Sequence, residues 1–416
     1  MGFYLGADIV PALIEHLNGH SARATLCRGC KMLRSEVPIP GSRTLTHPKN
    51  ISATANRRFN FQVLARHHRF IGKQLYRIRL AGVRQFSKDV VALAYQQLTR
   101  KPAGYSIRKI GSASPKIRIL YIHNGWAIYN VGLLWFSDAD GIQCTLVNIE
   151  EFLAHPDMQD EHDILLFGYS NLLGLAENLT LTKKVWTCVH DPVEIYPEVL
   201  HWASLKPSPG AISRLKTADK VITISREVQQ LLRQAGIRSV RIPTGSLLPV
   251  RSLHELDASR DTNLKILTVG RIYPRKNYEL FKEIERAARE RFGGAIEFSA
   301  KWDYVPLPES EYLRRLDASN VYVCTSYQEG GPLPAMDAMR RGQVVLSTQV
   351  GQMPELIQNG VNGFVCKTRS DFLDRLGQLV GNSSLLHTMR RNSLLQIQSE
   401  RGTAAIADAV HRAVMI

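Results

Sequence analysis

The feature that most constrains this chain is a repeated alternation of short apolar runs with helical patterns, in two separate series. The first series contains "KIRILYIHN" (strand at 117–124), "CTLVNI", "DILLFG", "KKVWTCVH" and "ADKVITIS". The second contains "LKILTVG" at 264–270, "VYVCTS" and "QVVLST". Each run is nearly continuous in apolar residues, which predicts strands buried on both faces. Between them lie sequences with helical spacing. In "REVQQLLRQAGI", Val228, Leu231, Leu232 and Ala235 share a face, Ser225 precedes as a cap and Gly236 stops the helix. "YELFKEIERAARERF" places Leu280, Phe281, Ile284, Ala287 and Ala288 on its inner side. Strands alternating with helices predict parallel sheets covered on both faces. Two series predict two Rossmann-like, doubly wound domains facing across a cleft, with ligands at the carboxyl ends of the strands.

The 416 residues suffice for more than one core. The expected organisation is a segment 1–116, a first domain 117–250, a linker 251–263, a second domain 264–400 and a C-terminal helix 401–416. Within 1–116, "KPAGYSIRKIGSASPK" reads as a linker leading into the first strand. Charge sets this segment apart. Residues 1–116 carry 20 Lys/Arg and four acids, so the whole formal charge of +16 falls there and the remainder balances. A mainly helical segment is expected, with Val63, Phe70, Ile71, Leu75 and Ile78 on or beside one face and Arg66, Arg69, Lys73 and Arg77 around it. That pattern suits an anionic membrane surface, although packing on the first sheet explains it too. Its interleaved Phe and Tyr residues also leave nucleic acid as a lesser alternative.

No signal peptide and no membrane span are read, and Cys144, Cys188, Cys324 and Cys366 sit in or beside apolar runs like small hydrophobes. A reduced cytoplasmic setting is expected, peripheral on the inner membrane face if the basic segment binds lipid. Cys27 and Cys30 form a lone CxxC with His16 and His20 upstream, at a spacing unlike a familiar zinc finger. Two His and two Cys leave zinc as a lesser alternative; the main expectation is no metal site.

The chemistry gathers around "EGGPLPAMDAMRRG", residues 329–342, delivered by "VYVCTS" to a carboxyl edge. Gly330 and Gly331 admit close approach to the backbone, and Pro334 suits a first helical turn. Free N–H groups at that turn favour phosphate. Glu329 and Asp337 are acceptors for hydroxyl groups. At the mouth of "LKILTVG", the segment "GRIYPRKN" supplies Arg271, Arg275 and Lys276. Cations at one strand mouth and a phosphate-suited helix at another make a diphosphate clamp. A sugar, a diphosphate and a ribose together satisfy these groups, which describes a nucleotide sugar. The competing readings are a capped helix with solvated acids for Glu329 and Asp337, and a surface ion pair for Arg271 and Lys276.

These motifs resemble those of the retaining glycosyltransferases of family 4, which have the two-domain GT-B fold. "VGRIYPRKN" is similar to the family's Gly-Arg…Lys segment, "TSYQEGGPLPAMDAM" to its Glu-x7-Glu segment and "GQMPELIQNGVNGFV" to the stretch that follows. "TADKVITIS" and "VRIPTGS" match the interdomain region, so the resemblance covers about 117–416. It implies that Arg271 and Lys276 hold the leaving diphosphate, Glu329 faces the donor sugar and Asp337 the ribose. It also implies that His190, in "TCVHDP", lines the cleft near the transferred sugar; a hydrogen-bonded core histidine beside Asp191 is the alternative. Gly270, Gly330, Gly331, Pro332, Leu333 and Gly125 are then donor-binding positions. Glu355, in "MPELI", is read as a local cap or pair. The pattern departs from the family in Asp337, where the family has Glu, and in a lone Gly125 where it usually has a glycine pair.

The resulting expectation is a retaining, metal-independent enzyme. It would move a sugar from a UDP- or GDP-sugar to a glycan or lipid-linked acceptor hydroxyl, in bacterial-type cell-surface polysaccharide or glycolipid synthesis. The alternatives are a GT-B relative such as a phosphorylase or sugar-phosphate transferase, a scaffold that binds donor without turnover, and a basic nucleic-acid-binding protein.

Overall fold

The computed structural model describes residues 107–196, 207–258, 263–270, 274–302 and 307–415. They belong to the second of two compact units, 102–416. Residues 1–106, with the predicted amphipathic helices and Cys27/Cys30, lie outside the described residues, and so does Arg271.

The first sheet has seven strands in the order β1-β3-β2-β4-β5-β6-β7. They are β1 (Arg108–Gly111), β2 (Ile117–His123), β3 (Ile142–Asn148), β4 (Ile164–Phe167), β5 (Lys184–Val189), β6 (Lys220–Thr223) and β7 (Val240–Arg241). All neighbours are parallel except β1, which runs antiparallel to β3. Strand β2 shows why its sequence reads as continuously apolar. Ile119 and Tyr121 enter one core with Trp135, Ile406 and Val410, while Leu120 and Ile122 enter another with Phe152 and Phe167 on the opposite face.

Strand β1 lies inside the stretch read as a linker. Its residues are largely exposed, so no apolar pattern announces it. Backbone pairing of Arg108–Gly111 with Gln143–Leu146 holds it at the sheet edge. The polar stretch 251–263 likewise contains a short helix, Leu253–Ala258, whose Leu256 is fully buried.

The second sheet has five parallel strands in the order β12-β11-β10-β8-β9. They are β8 (Leu264–Gly270), β9 (Ile296–Trp302), β10 (Val321–Cys324), β11 (Val344–Ser347) and β12 (Gly363–Val365). Strand β8 opens the domain and β9 and β10 flank it. The strand order therefore reverses between β8 and β10, and the crevice at such a reversal is where doubly wound sheets take ligands. The loops leaving β8 and β10 carry Lys276 and Glu329. In the first sheet the reversal falls at β2, whose carboxyl end leads to Gly125. Gly125 has φ 154° and ψ −173°, a region open to glycine alone, and precedes the helix Trp126–Phe136.

The C-terminal helices tie the domains together. Ser383–Arg401 packs Met389 and Ile397 on the second domain's cores and buries Leu394. After Gly402 the helix Thr403–Met415 turns back to the first domain, burying Ile406 and Val410 beside Trp135. At this crossing Gly245 passes so close that a Cβ would lie 2.8 Å from the Arg401 carbonyl oxygen. Among the described residues, no helix is long and apolar enough to cross a membrane.

Candidate functional site at the mouth of the second sheet

The loop after β8 closes with a short 3-10 turn, Pro274–Lys276, before the helix Tyr278–Phe292. Asn277 sits in the left-handed region at φ 52° and caps that helix, its Oδ1 accepting from the Leu280 N–H at 3.4 Å. This turn aims Arg275 and Lys276 at the loop after β10. Lys276 Nζ lies 2.5 Å from Glu329 Oε1, and Arg275 Nη1 lies 3.1 Å from Glu329 Oε2. Ser326 Oγ donates to Oε1 at 2.7 Å. Glu329 is 4 % exposed. Burial pushes its carboxyl up, but Lys276 and Arg275 outweigh burial and hold it below the usual range. It is an anion locked between two cations.

The same guanidinium reaches the first domain. Arg275 Nη1 lies 2.9 Å from Asp191 Oδ2, and Gln328 Nε2 donates to Asp191 Oδ1 at 3.0 Å. Asp191 caps the 3-10 turn Pro192–Glu194 in a reciprocal capping box. Buried Glu194 holds this corner from beneath. Its Oε1 accepts the N–H groups of His190 and Asp191 at 2.6 and 3.0 Å, and its Oε2 accepts Ser170 N–H at 3.0 Å and the Ser170 hydroxyl. Burial raises Glu194 to about 8 against the pull of these donors.

His190 is 8 % exposed, its ring stacked between Trp135 and Tyr169 at centroid distances of 6.2 and 6.3 Å. Its Nε2–H donates to the Gly168 carbonyl at 2.7 Å. Burial lowers its pKa to about 4, so the ring is neutral at pH 7. What His190 presents to the second domain is its backbone. A Cβ on Gly330 would fall 1.5 Å from the His190 carbonyl oxygen, so only glycine allows the two loops to meet. Gly331 faces Thr244 and Gln352 in the same seam. In this structure both glycines accommodate protein backbone and side chains.

The helix Leu333–Arg340 starts after Pro332, with proline in its first turn. Asp337 points from it into a buried niche, where Tyr312 OH donates to Oδ2 at 2.8 Å and Ser246 supplies a second hydrogen bond. Burial raises Asp337 to about 6. Beside Lys276, a cavity of about 10 Å³, room for roughly one water, is lined by Ser326, Trp302 and Pro332. The Trp302 indole nitrogen is buried without an acceptor. Among the described residues, no group of three or more His, Cys, Asp or Glu is placed to hold a metal.

The structure brings some of the sequence-derived candidates together and keeps others apart. Lys276 and Glu329 meet directly, and His190 meets Gly330 through its carbonyl. Asp337 is held by Tyr312 and Ser246, whereas Gly125 stands at the mouth of the other sheet, with open space where a Cβ would be. Sequence reasoning missed Asp191 as a partner of Arg275, and it missed Gln328, Glu194 and Tyr312. The D-x-x-E spacing of Asp191 and Glu194 was the one available signal. Glu355 is a cap, but across the domains: its Oε1 accepts the Arg226 N–H at 2.6 Å and its Oε2 pairs with Arg241 at 2.8 Å.

Two facing doubly wound sheets with the ion cluster at the strand mouths define a two-domain α/β molecule of the GT-B class, and comparison with solved structures agrees. HepE of Anabaena, solved with UDP-glucose, is 14% identical with a TM-score of 0.51, covering 72% of this chain and 99% of its own. Sucrose-phosphate synthase of Thermosynechococcus elongatus is 16% identical with a TM-score of 0.52, covering 71% of this chain and 98% of its own. Residues 305–395, which include Glu329 and Asp337, match the family described as "Glycosyl transferases group 1". An uncharacterised glycosyltransferase of Methanocaldococcus jannaschii is 22% identical over 173 residues, which is 39% of this chain and 44% of that relative.

The Asp337 niche has a pH signature. Its folded-state pKa, about 6, stands above the ordinary 3.8, so the native state binds the extra proton and stability falls as pH rises from about 4 to 6. Asp337→Asn keeps an acceptor for Tyr312 and removes the ionisation. The melting temperature of the variant relative to wild type is expected to climb across that window and then level off. A pH-independent difference in thermal melts would contradict the niche as described.

Proposed function

We propose that this chain is a retaining glycosyltransferase that moves a sugar from a nucleotide-sugar donor to an acceptor hydroxyl. The observation that carries the reading is the Arg275–Lys276–Glu329 cluster at the β8/β10 reversal, within a GT-B fold and with Glu329 inside the segment matching the group 1 glycosyltransferases. The UDP complexes of HepE favour a UDP-sugar donor.

The chemistry follows from the charges. Lys276 and Arg275 are each neutralised by a carboxylate, so a donor diphosphate enters by exchange: its oxygens take the cations, and Glu329 is released to accept hydroxyl protons of the donor sugar. Arg271, between Gly270 and Pro274 in sequence, adds a third cation to this reading. Prearranged cations stabilise the diphosphate as its negative charge grows, which lowers the barrier more than it tightens ground-state binding. At the opening of the Leu333–Arg340 helix Pro334 has no N–H and the Ala335 and Met336 N–H groups already donate to the Pro332 carbonyl, so it is the Leu333 N–H and the positive end of the helix that act in the same direction. Asp337, freed from Tyr312, accepts from the ribose. Following the resemblance to retaining glycosyltransferases, departure and attack occur on the same face of the sugar without a covalent enzyme intermediate, with the leaving diphosphate taking the acceptor's proton. His190 serves through its carbonyl, since its Nε2–H is committed to Gly168. Closure at the Gly330–His190 contact excludes water from the reacting centre.

A donor larger than one water requires the cleft to open at this contact and at the Asp191–Arg275 pair. The finer reading, delivery to a glycan or lipid-linked acceptor for surface polysaccharide or glycolipid, rests on the basic segment 1–116. Salt-sensitive flotation of the full chain with anionic vesicles supports it, and indifference to such vesicles at low salt overturns it.

Lys276→Ala is expected to lower kcat/KM for the accepted donor by two or more powers of ten, about 3 kcal/mol of transition-state stabilisation. Steady-state assays across UDP-, GDP- and ADP-sugars check this. Unchanged kinetics in the folded variant would remove Lys276 from the clamp. Donor-dependent thermal shifts without sugar transfer would favour a binding scaffold.

A further inference from the structure

A second cavity lies away from the Glu329 cluster, at the crossing of the C-terminal helices. It has a volume of about 430 Å³ and is framed by the edge strand β7, the end of the Ser383–Arg401 helix and one face of the Thr403–Met415 helix. That volume falls in the range of small-molecule sites. Three guanidinium groups line it: Arg241, Arg401 and Arg412. Val240, Pro243 and the methyl groups of alanines on the last helix supply an apolar floor.

The charges there do not balance. Arg241, Arg401 and Arg412 line the cavity and Arg226 stands beside them, while the acids within reach are Glu355 and Glu400. Arg401 is 5 % exposed. Its Nε donates to Gln352 Oε1 at 3.2 Å and its Nη1 to the Glu400 carbonyl at 3.0 Å. Its Nη2 has only Glu355 Oε2, at 3.7 Å, beyond hydrogen-bond length. Arg241 spends one nitrogen on Glu355 at 2.8 Å. Arg412 is exposed and makes no ion pair or hydrogen bond with any described residue. A buried guanidinium with an unspent face, a second one half committed and a third uncommitted converge on one concavity. Guanidinium forks pair best with planar or tetrahedral oxyanions that accept two hydrogen bonds at once.

We propose that this crossover cavity is a binding site for a phosphate group carried by a small organic molecule. The phosphate sits among Arg241, Arg401 and Arg412, and the carbon body lies over Val240, Pro243 and the alanine face. The site is independent of the donor cluster. It is joined to the domain seam, because Glu355 holds Arg241 while accepting the backbone N–H of Arg226 at 2.6 Å. A phosphate that draws Arg241 and Arg401 away from Glu355 therefore acts on the contact that fastens the two domains.

The test is calorimetric titration of the full chain with phenyl phosphate, comparing wild type, Arg412→Ala and Lys276→Ala. Arg412→Ala removes an exposed, unpartnered side chain, so the variant is expected to melt like wild type. It should bind phenyl phosphate roughly tenfold more weakly, the value of one charge-assisted pair. Lys276→Ala should leave this affinity unchanged. Absence of binding at millimolar phenyl phosphate overturns the proposal, as does weakening by Lys276→Ala with Arg412→Ala indifferent. The latter result would place the anion at the donor cluster and leave the glycosyltransferase reading intact.

Discussion

The ion cluster of Glu329 with Lys276 and Arg275 is the interaction on which the site depends. A carboxylate that is 4 % exposed is tolerable only because two cations and a serine hydroxyl meet it. Removing one partner of such a set leaves an uncompensated buried charge, which costs about 3–5 kcal/mol in comparable cases. The cluster fixes the loops after β8 and β10 against each other. Through the second reach of Arg275 to Asp191, it fixes the second domain against the first.

That dependence explains why so much of the surrounding architecture serves two short loops. Glu194 gathers four donors to shape the His190–Asp191 corner. Gly330 omits a side chain so that the corner can touch the second domain. Asn277 takes a left-handed backbone to turn Lys276 inward before the next helix begins. Glu227 on the first domain accepts the Gly351 N–H at 2.8 Å, and Glu355 returns the contact from the second. The hydrogen-bonded joints at the cleft set carboxylates against backbone N–H groups, guanidinium or the Gln328 amide, so this part of the seam is polar. Polar seams between domains separate more readily than large apolar ones.

The elements that sequence disclosed are those whose own residues carry the signal. Strand β8 and the helix Tyr278–Phe292 are continuous patterns of burial, and Ser225 before "REVQQLLRQ" is a local cap. Glu329 and Lys276 were legible because strand mouths and glycines flank them. Strand β1 was not, since only its backbone is held. The Asp191–Arg275 pair spans 84 residues of chain, and no periodicity connects them. Tyr312 is bound to Asp337 by packing between two helices, a relation that appears only when both are placed. The glycines were read for what they permit, and the structure shows the near neighbour they permit: the backbone of the opposite domain at Gly330.

The central claim is that the Lys276–Glu329 pair holds the place of a diphosphate. A crystal structure of the full chain with a bound UDP-sugar tests this most directly. The account predicts diphosphate oxygens on Lys276 and Arg275, with Glu329 released from both and turned toward the sugar, and with the Gly330–His190 contact separated. A UDP-sugar bound elsewhere, or bound with Glu329 still paired to Lys276 and Arg275, would contradict it.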